Sequence, residues 1–527
     1  MLNFKTIALL SFENLSCSAS KITYNHFYDT NLNRLLQTKT FPETCRLHAN
    51  NFYFCNMTRK NRRQPVFFEN LEVIDAGAKG VCVAKAPDGK IVLIPNVVPG
   101  DVVDVQTTKK KKAFYEARAI NIKEYSKYRT EPVCEHFGYC GGCKWQNMQY
   151  EQQLFYKQNE VYNHLKRIGK IDLPDFEPIL GSEKTYFYRN KMEFAFSASR
   201  WLTPEEIQSG AEIEKENALG FHIPRMWDKI LDIKKCWLQQ DPSNTIRNSI
   251  RAFANEHQMP FFNPKDHTGW LRTLMIRTAS TGEIMVLLQF FHEDAENREK
   301  LLSYLMQTFP EITSLQYVIN EKLNDTIYDQ EVICYHGRDY ILEEMEGLQF
   351  SINAKSFYQT NSEQAYQLYS ITRDFAGLTG NEIVYDLYTG TGTIAQFVSK
   401  KAGKVIGVEA VPEAIADAKI NAERNQITNC DFFVGDMKNV FNDEFIQTHG
   451  QPDVIITDPP RDGMHKDVVA QILKIAPKRV VYVSCNSATQ ARDLALMDEK
   501  YRVVRVRPVD MFPQTHHVEN VVLLELR

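Results

Sequence analysis

From about Phe350 onward, short runs of consecutive apolar residues alternate with longer stretches in which apolar residues recur every three or four positions. "EIVYDLYTGTGTIAQFV", "KVIGVEAVPEAIADAKINAERN", "PDVIITDPPR" and "RVVYVSCNSATQARDLALM" each read as a buried strand, a turn and, in most cases, a helix. Such text predicts an α/β fold with an open, doubly wound parallel sheet over residues 346–527. Residues 65–129 differ. There short β-rich runs are punctuated by Asp-Gly and Pro-Gly, the pattern of a small β-barrel. A cysteine-containing loop and a polar helix from about Tyr150 to Ile168 follow. Residues 130–345 as a whole read as a mixed α/β middle domain, with strands such as "KMEFAFSA" and "GEIMVLLQFF".

The first 56 residues contain no glycine and hold no sustained period. They are expected to be a disordered or mis-assigned extension, with translation beginning at Met57. Composition adds little: 43% hydrophobic, 24% charged and a formal net charge of −4 describe an ordinary soluble enzyme. No apolar run approaches the roughly 20 residues a membrane helix needs. Eleven cysteines, three of them packed together, suggest a reducing cytoplasm and thiols kept for metal or catalysis. The barrel edge carries Lys109 to Lys112, then Arg118, Lys123, Lys127 and Arg129. This is either a solvated face or a surface that tracks phosphates.

"VYDLYTGTGTIA" places Gly390 and Gly392 in a tight loop between a strand and a helix. The third glycine of a dinucleotide fingerprint and the lysine of a phosphate loop are both missing, so NAD and ATP are disfavoured. Glu409 ends the next strand, where an acid accepts both ribose hydroxyls of an adenosine. Asp436 follows the third strand, a position suited to the adenine amine, and Asp458 follows the fourth. With Asp386, these acids on one rim favour a cationic adenosyl ligand, S-adenosylmethionine. Arg461 after "DPP" replaces the aromatic residue expected of enzymes that methylate adenine N6.

Cys485 follows the fifth strand on the same rim. A thiol has no use in methylating an amine, but carbon 5 of uracil is a poor nucleophile. A thiolate added at carbon 6 would leave electron density at carbon 5 to take a methyl group. A base must then remove the carbon-5 proton. "HHVENVVLLEL" supplies Glu519 at the start of a last strand, expected to run antiparallel and so to begin beside Cys485.

"DLYTGTGT", "TDPPRDG", "YVSCNSATQARDL" and "HHVENV", in this order, resemble the RNA (uracil-5-)-methyltransferase family, its RumA-type 23S rRNA branch above all. The resemblance implies Cys485 as nucleophile and Glu519 as base. It places Gln359, Tyr388, Thr393, Glu409, Asp436 and Asp458, with Gly390 in the loop, around S-adenosylmethionine. Thr389 departs from the cysteine often found there. The resemblance also identifies the barrel as a TRAM domain, which makes the lysine run an expected RNA contact.

Cys134, Cys140 and Cys143 form C-x5-C-x2-C, and Cys236 is the candidate fourth ligand. Thiolates alone admit zinc or iron–sulfur; the resemblance favours a 4Fe–4S cluster. It further implies that the helix after this loop packs on the methyltransferase domain. The expected protein is therefore a monomeric, cytoplasmic enzyme acting on structured RNA, 23S rRNA first and the tRNA T-loop second. A non-catalytic RNA-binding iron–sulfur protein is the alternative from another class.

Overall fold

The computed structural model describes residues 64–211 and 217–527; the expectations for residues 1–56 and for a start at Met57 lie outside the described residues. Strands β1 (Phe67–Ala76), β2 (Cys82–Lys85), β3 (Ile91–Ile94), β4 (Val102–Lys110) and β5 (Phe114–Glu124) close into a barrel in the order β1-β2-β3-β5-β4. Alternate residues such as Val92, Ile94, Val103 and Val105 fill its interior, as the period of two requires.

A second sheet takes β6 (Lys191–Ser197), β7 (Ala218–Ile223), β8 (Met226–Asp232), β9 (Leu271–Thr278), β10 (Ile284–Phe290), β11 (Ile312–Ile319) and β12 (Ile333–Gly337) in the order β12-β11-β10-β9-β6-β7-β8. Hairpin β13 (Tyr340–Met345) and β14 (Leu348–Asn353) leads to the third sheet.

That sheet holds β15 (Ile383–Leu387), β16 (Lys404–Glu409), β17 (Cys430–Val434), β18 (Val454–Thr457), β19 (Arg479–Ser484), β20 (Tyr501–Val509) and β21 (Glu519–Leu526). Its order is β17-β16-β15-β18-β19-β21-β20. Strands β15 to β19 are parallel, and β21 runs antiparallel to both β19 and β20. All four residues of β18 are buried, because helices cover both faces; hence the unbroken apolar runs in the sequence.

The helix Tyr150–His164 explains its own polarity. It continues as a wider π turn over Leu165–Gly169, where the sequence suggested plain helix to Ile168. Its buried stripe is Gln153, Tyr156, Lys157 and Val161, spaced for one helix face, and Val161 and Leu165 join the core of the third sheet. Two of those four residues are polar because their partners are polar. Lys157 Nζ donates to Asp510 Oδ1 at 2.6 Å and to the Phe512 carbonyl at 3.1 Å, with the Lys157 and Asp510 side chains fully shielded from solvent. Tyr150 donates to the other Asp510 oxygen at 2.9 Å. Gln153 and Gln514 exchange bonds of 2.9 and 3.0 Å. No described helix is long and apolar enough to cross a membrane.

Removing one member of a fully buried ion pair strands the other charge and costs about 3–5 kcal/mol. Asp510→Ala should therefore lower the urea unfolding midpoint by that equivalent. Lys474→Ala, which opens the exposed pair with Asp443, should leave the midpoint where it is.

Candidate active site

Because β21 is antiparallel, it enters the sheet at the rim where the parallel strands end. Ser484 pairs with Asn520 and Val483 with Val521, so the residues one step further, Cys485 and Glu519, stand opposite each other at the open end of the ladder. Asp458 follows β18, the neighbour of β19 on its other side. The structure thus brings Cys485, Glu519 and Asp458 to one place.

Their protonation states are coupled. Burial pushes the Glu519 carboxyl up to about 8, helped by the charge of Asp458 and opposed by Arg461. Burial and Asp386 push Asp458 up to about 7. The half-buried thiol of Cys485 is pushed up to about 11 by burial, then by Glu519 and Asp458; Arg461, nearby, acts in the opposite sense. Arg461 matters here in a way the sequence reading missed, since there it served only to disfavour adenine. Tyr369 was missed as well. It is buried in the helix Ser362–Ala376, faces the charges of Asp458, Asp386 and Glu519, and shares a hydrogen bond with Gln359. Its only sequence signal was an aromatic on an amphipathic helix, which ordinarily means core.

The loop after β15 is shaped for close approach. Gly390 has φ 56°, and a Cβ there would meet nothing within 4 Å, so that flank of the backbone is open. Gly392, at φ 74°, has no such room: a Cβ would press on Phe432 and Ala418 at 2.8–2.9 Å. Tyr388 is held at φ 64° without being glycine, a strained conformation of the kind found at ligand sites. Glu409 fixes the loop, accepting from the Gly390, Ala410 and Val411 N–H groups at 3.2, 2.7 and 3.1 Å. Thr389 donates to Asp386 Oδ2 at 2.5 Å and the Ala395 N–H adds a bond of 3.0 Å. Asp386 Oδ1 is buried with no hydrogen-bond partner, and burial pushes this carboxyl up to about 7. Thr393, buried, opens the helix Thr393–Ser399, with its hydroxyl 3.2 Å from that of Thr391. Gln359 is half-buried, and its carbonyl accepts from Asn190 at 2.9 Å. Asp436 is placed differently from the other acids. It is exposed, caps the helix Met437–Val440 through the Lys438 N–H, and pairs with Lys438 Nζ at 3.1 Å. Three crowded carboxyls, Asp386, Asp458 and Glu519, of which Glu519 feels the Arg461 guanidinium, beside an orphaned oxygen and an open glycine flank, suit a ligand that brings positive charge.

Elsewhere, Cys134, Cys140, Cys143 and Cys236 line one cavity of about 530 Å³. The Gly142 N–H donates to the Cys140 sulfur at 3.5 Å, and the nearby His136 and Phe137 amides and Gln146 favour the ionised forms of Cys134 and Cys143. Burial nevertheless raises these thiols, Cys140 to about 11 and Cys143 to about 12. Among the described residues no three His, Cys, Asp or Glu side chains converge closely enough to hold a single ion. Thiolates alone leave zinc and an iron–sulfur group both open here.

Comparison with known proteins identifies the chemistry. Residues 283–527 match the family model described as tRNA (Uracil-5-)-methyltransferase. An uncharacterised RNA methyltransferase of Bacteroides thetaiotaomicron is 59% identical over 85% of this chain and its own full length. One from Porphyromonas gingivalis is 56% identical over 86% of this chain and 99% of its own. The chain belongs to the RNA (uracil-5-)-methyltransferase family. This methyltransferase also resembles, at 26% identity and a TM-score of 0.67, the crystal structure of Pyrococcus abyssi tRNA (uracil-54, C5)-methyltransferase in complex with S-adenosyl-L-homocysteine. That match covers 86% of this chain and all of the other. It is an S-adenosylmethionine-dependent RNA methyltransferase with the class I fold.

The raised carboxyls make donor binding pH-dependent. With Asp458 beside the donor, as the resemblance implies, a cationic donor would favour its ionised form, so binding should expel the proton that this group holds below pH 7. Affinity for S-adenosylmethionine should rise about tenfold from pH 6 to pH 8 and then level off. Titration calorimetry in buffers of different ionisation enthalpy would report the released proton.

Proposed function

We propose that this methyltransferase modifies carbon 5 of a uridine in 23S rRNA, with Cys485 as nucleophile and Glu519 as base. The observation that carries the reading is the pairing of these two residues across the open end of β19 and β21. Cys485, as thiolate, adds its sulfur to carbon 6 of a uracil turned out of its stack, and the electron pair moves to carbon 5. S-adenosylmethionine supplies the methyl group, which carbon 5 takes. Glu519 then removes the carbon-5 proton, and the C–S bond breaks to restore the ring and release Cys485. Arg461 offsets the charge that Asp458 and Glu519 impose on the thiolate. Gln359, Tyr388, Gly390, Thr393, Glu409, Asp436 and Asp458 line the donor pocket in this reading.

Cys134, Cys140, Cys143 and Cys236 would hold a 4Fe–4S cluster, which supplies a rigid cross-link between the loop of the first three and the segment carrying the fourth. The barrel with Lys109–Lys112 is read as a TRAM domain that grips RNA, in a reducing cytoplasm where such thiols persist. The resemblance to the RumA-type 23S rRNA branch supports rRNA as substrate. The Pyrococcus abyssi neighbour favours a second reading, the same chemistry on a tRNA uridine. Mapping 5-methyluridine in the rRNA and tRNA of a strain lacking the gene decides between them: the missing mark identifies the substrate.

Two variants test the chemistry. Cys485→Ala should lose turnover by at least about a thousandfold while donor binding is kept. Glu519→Gln cannot take the carbon-5 proton, so a covalent protein–RNA adduct should accumulate in the presence of donor and be visible on denaturing gels. Turnover by Cys485→Ala at the wild-type rate would refute the mechanism.

A further inference from the structure

The cavity that the four cysteines line has a second wall. Lys235 and Trp237, on either side of Cys236, face the same space, as do Arg189 and Thr360. Its volume of about 530 Å³ lies in the range of ligand pockets. The wall is built with strain. Phe187, a bulky aromatic residue, sits at φ 56°, where such side chains are genuine outliers. It is held there because its N–H donates to the Trp237 carbonyl at 2.9 Å, while the Arg189 N–H donates to Leu238 at 2.8 Å. The result is an aromatic pair, Phe187 on Trp237 at 5.5 Å between ring centroids. The exposed Lys235 ammonium lies 3.9 Å from the Trp237 ring centre and forms no ion pair among the described residues.

Asn190, next to Arg189 of this wall, is bonded to the segment that carries Gln359. Asn190 donates its N–H to Thr360 at 2.8 Å and its side-chain amide to Gln359 at 2.9 Å, which ties it to the segment that meets the donor. The charge of Arg189 acts on His517, two residues before Glu519, as does that of Arg461. Lys235 and Arg189 thus line one cavity, and Arg189 and Arg461 both act on His517. No carboxylate answers Lys235 or Arg189 among the described residues. An exposed cation over an aromatic face, with a second cation on the same cavity wall, matches single-stranded nucleic acid, whose backbone supplies phosphates and whose bases stack.

We propose that Lys235 and Trp237 form a subsite for a nucleotide adjoining the target uridine, the base stacking on Trp237 and a phosphate drawing Lys235 off the ring. The proposal rests on the reading of the RNA chemistry given above. It also gives the cysteine site a role in RNA binding, since fixing Cys236 fixes the two residues that flank it. The ammonium shields the indole face in the free protein, and RNA exchanges one contact of the lysine for a charged one.

The test is equilibrium binding of the full chain to a 23S rRNA transcript between 50 and 200 mM salt. Wild type, Lys235→Ala and Trp237→Leu are compared, with iron per chain and methyl transfer measured in parallel. Lys235→Ala should weaken binding about five- to tenfold and reduce the slope of log K against log salt by about 0.7, the loss of one phosphate contact. Trp237→Leu should weaken binding about tenfold with the slope unchanged. Iron content should be wild-type in Lys235→Ala, whose side chain is exposed. Unchanged affinity and slope in Lys235→Ala, while wild type still methylates, would overturn the subsite and leave the functional reading standing. A loss of iron without a change in slope would overturn it too, by showing that these residues serve the cysteine site alone.

Discussion

Acid crowding without enough counter-charge is the constraint on which this structure turns. Asp386, Asp458 and Glu519 are driven to one rim by strand topology, and burial makes each of them reluctant to ionise. Cys485 suffers for the same reason, since every carboxylate that ionises nearby makes a thiolate harder to form. One guanidinium, that of Arg461, is not enough to reverse this. A donor with a sulfonium and an ammonium brings the missing charge. On the proposed chemistry the nucleophile is therefore suppressed until the donor is seated, which protects a reactive thiol in the idle enzyme.

The second requirement is mechanical. Glu519 is reached through the segment from Asp510 to Val518, and that segment is gripped from outside the sheet. Lys157, Tyr150 and Gln153 hold it from the helix Tyr150–His164. The Lys144 and Trp145 N–H groups, next to the cysteine loop, both donate to the Gln514 carbonyl. Tyr188 donates to Pro513 at 2.9 Å. Glu519 is thus located by three parts of the chain far from it in sequence, and the cysteine loop is one of them.

How much of this could be read from the residues follows from the physics of each feature. Parallel strands buried on both faces write themselves as apolar runs, so "VIITDPP" and "VVYVSC" could be read as strand ends with their acids and thiol. The meeting of Cys485 with Glu519 was legible because antiparallel entry of the last strand leaves few other places for residue 519. The orientation of Asp436 was not, because an acid at a strand end is equally well placed to cap the helix that follows, and Lys438 rewards that choice. Arg461 and Tyr369 were hidden for a different reason: their contacts are made across the fold, and no spacing in the sequence announces them. Nor could spacing show that Lys157 is buried, since a lysine on a polar helix reads as solvated until Asp510 is known to face it.

That last pairing has a bearing on biosynthesis. Residue 157 leaves the ribosome some 350 residues before its partner, so the helix Tyr150–His164 must wait, its ammonium still wetted, through the making of about two-thirds of the chain. The final docking of this helix is consequently among the latest events of maturation, and it coincides with the arrival of the strand that bears Glu519. A chain cut short before Asp510 would lack both the partner that neutralises Lys157 and the strand that carries Glu519.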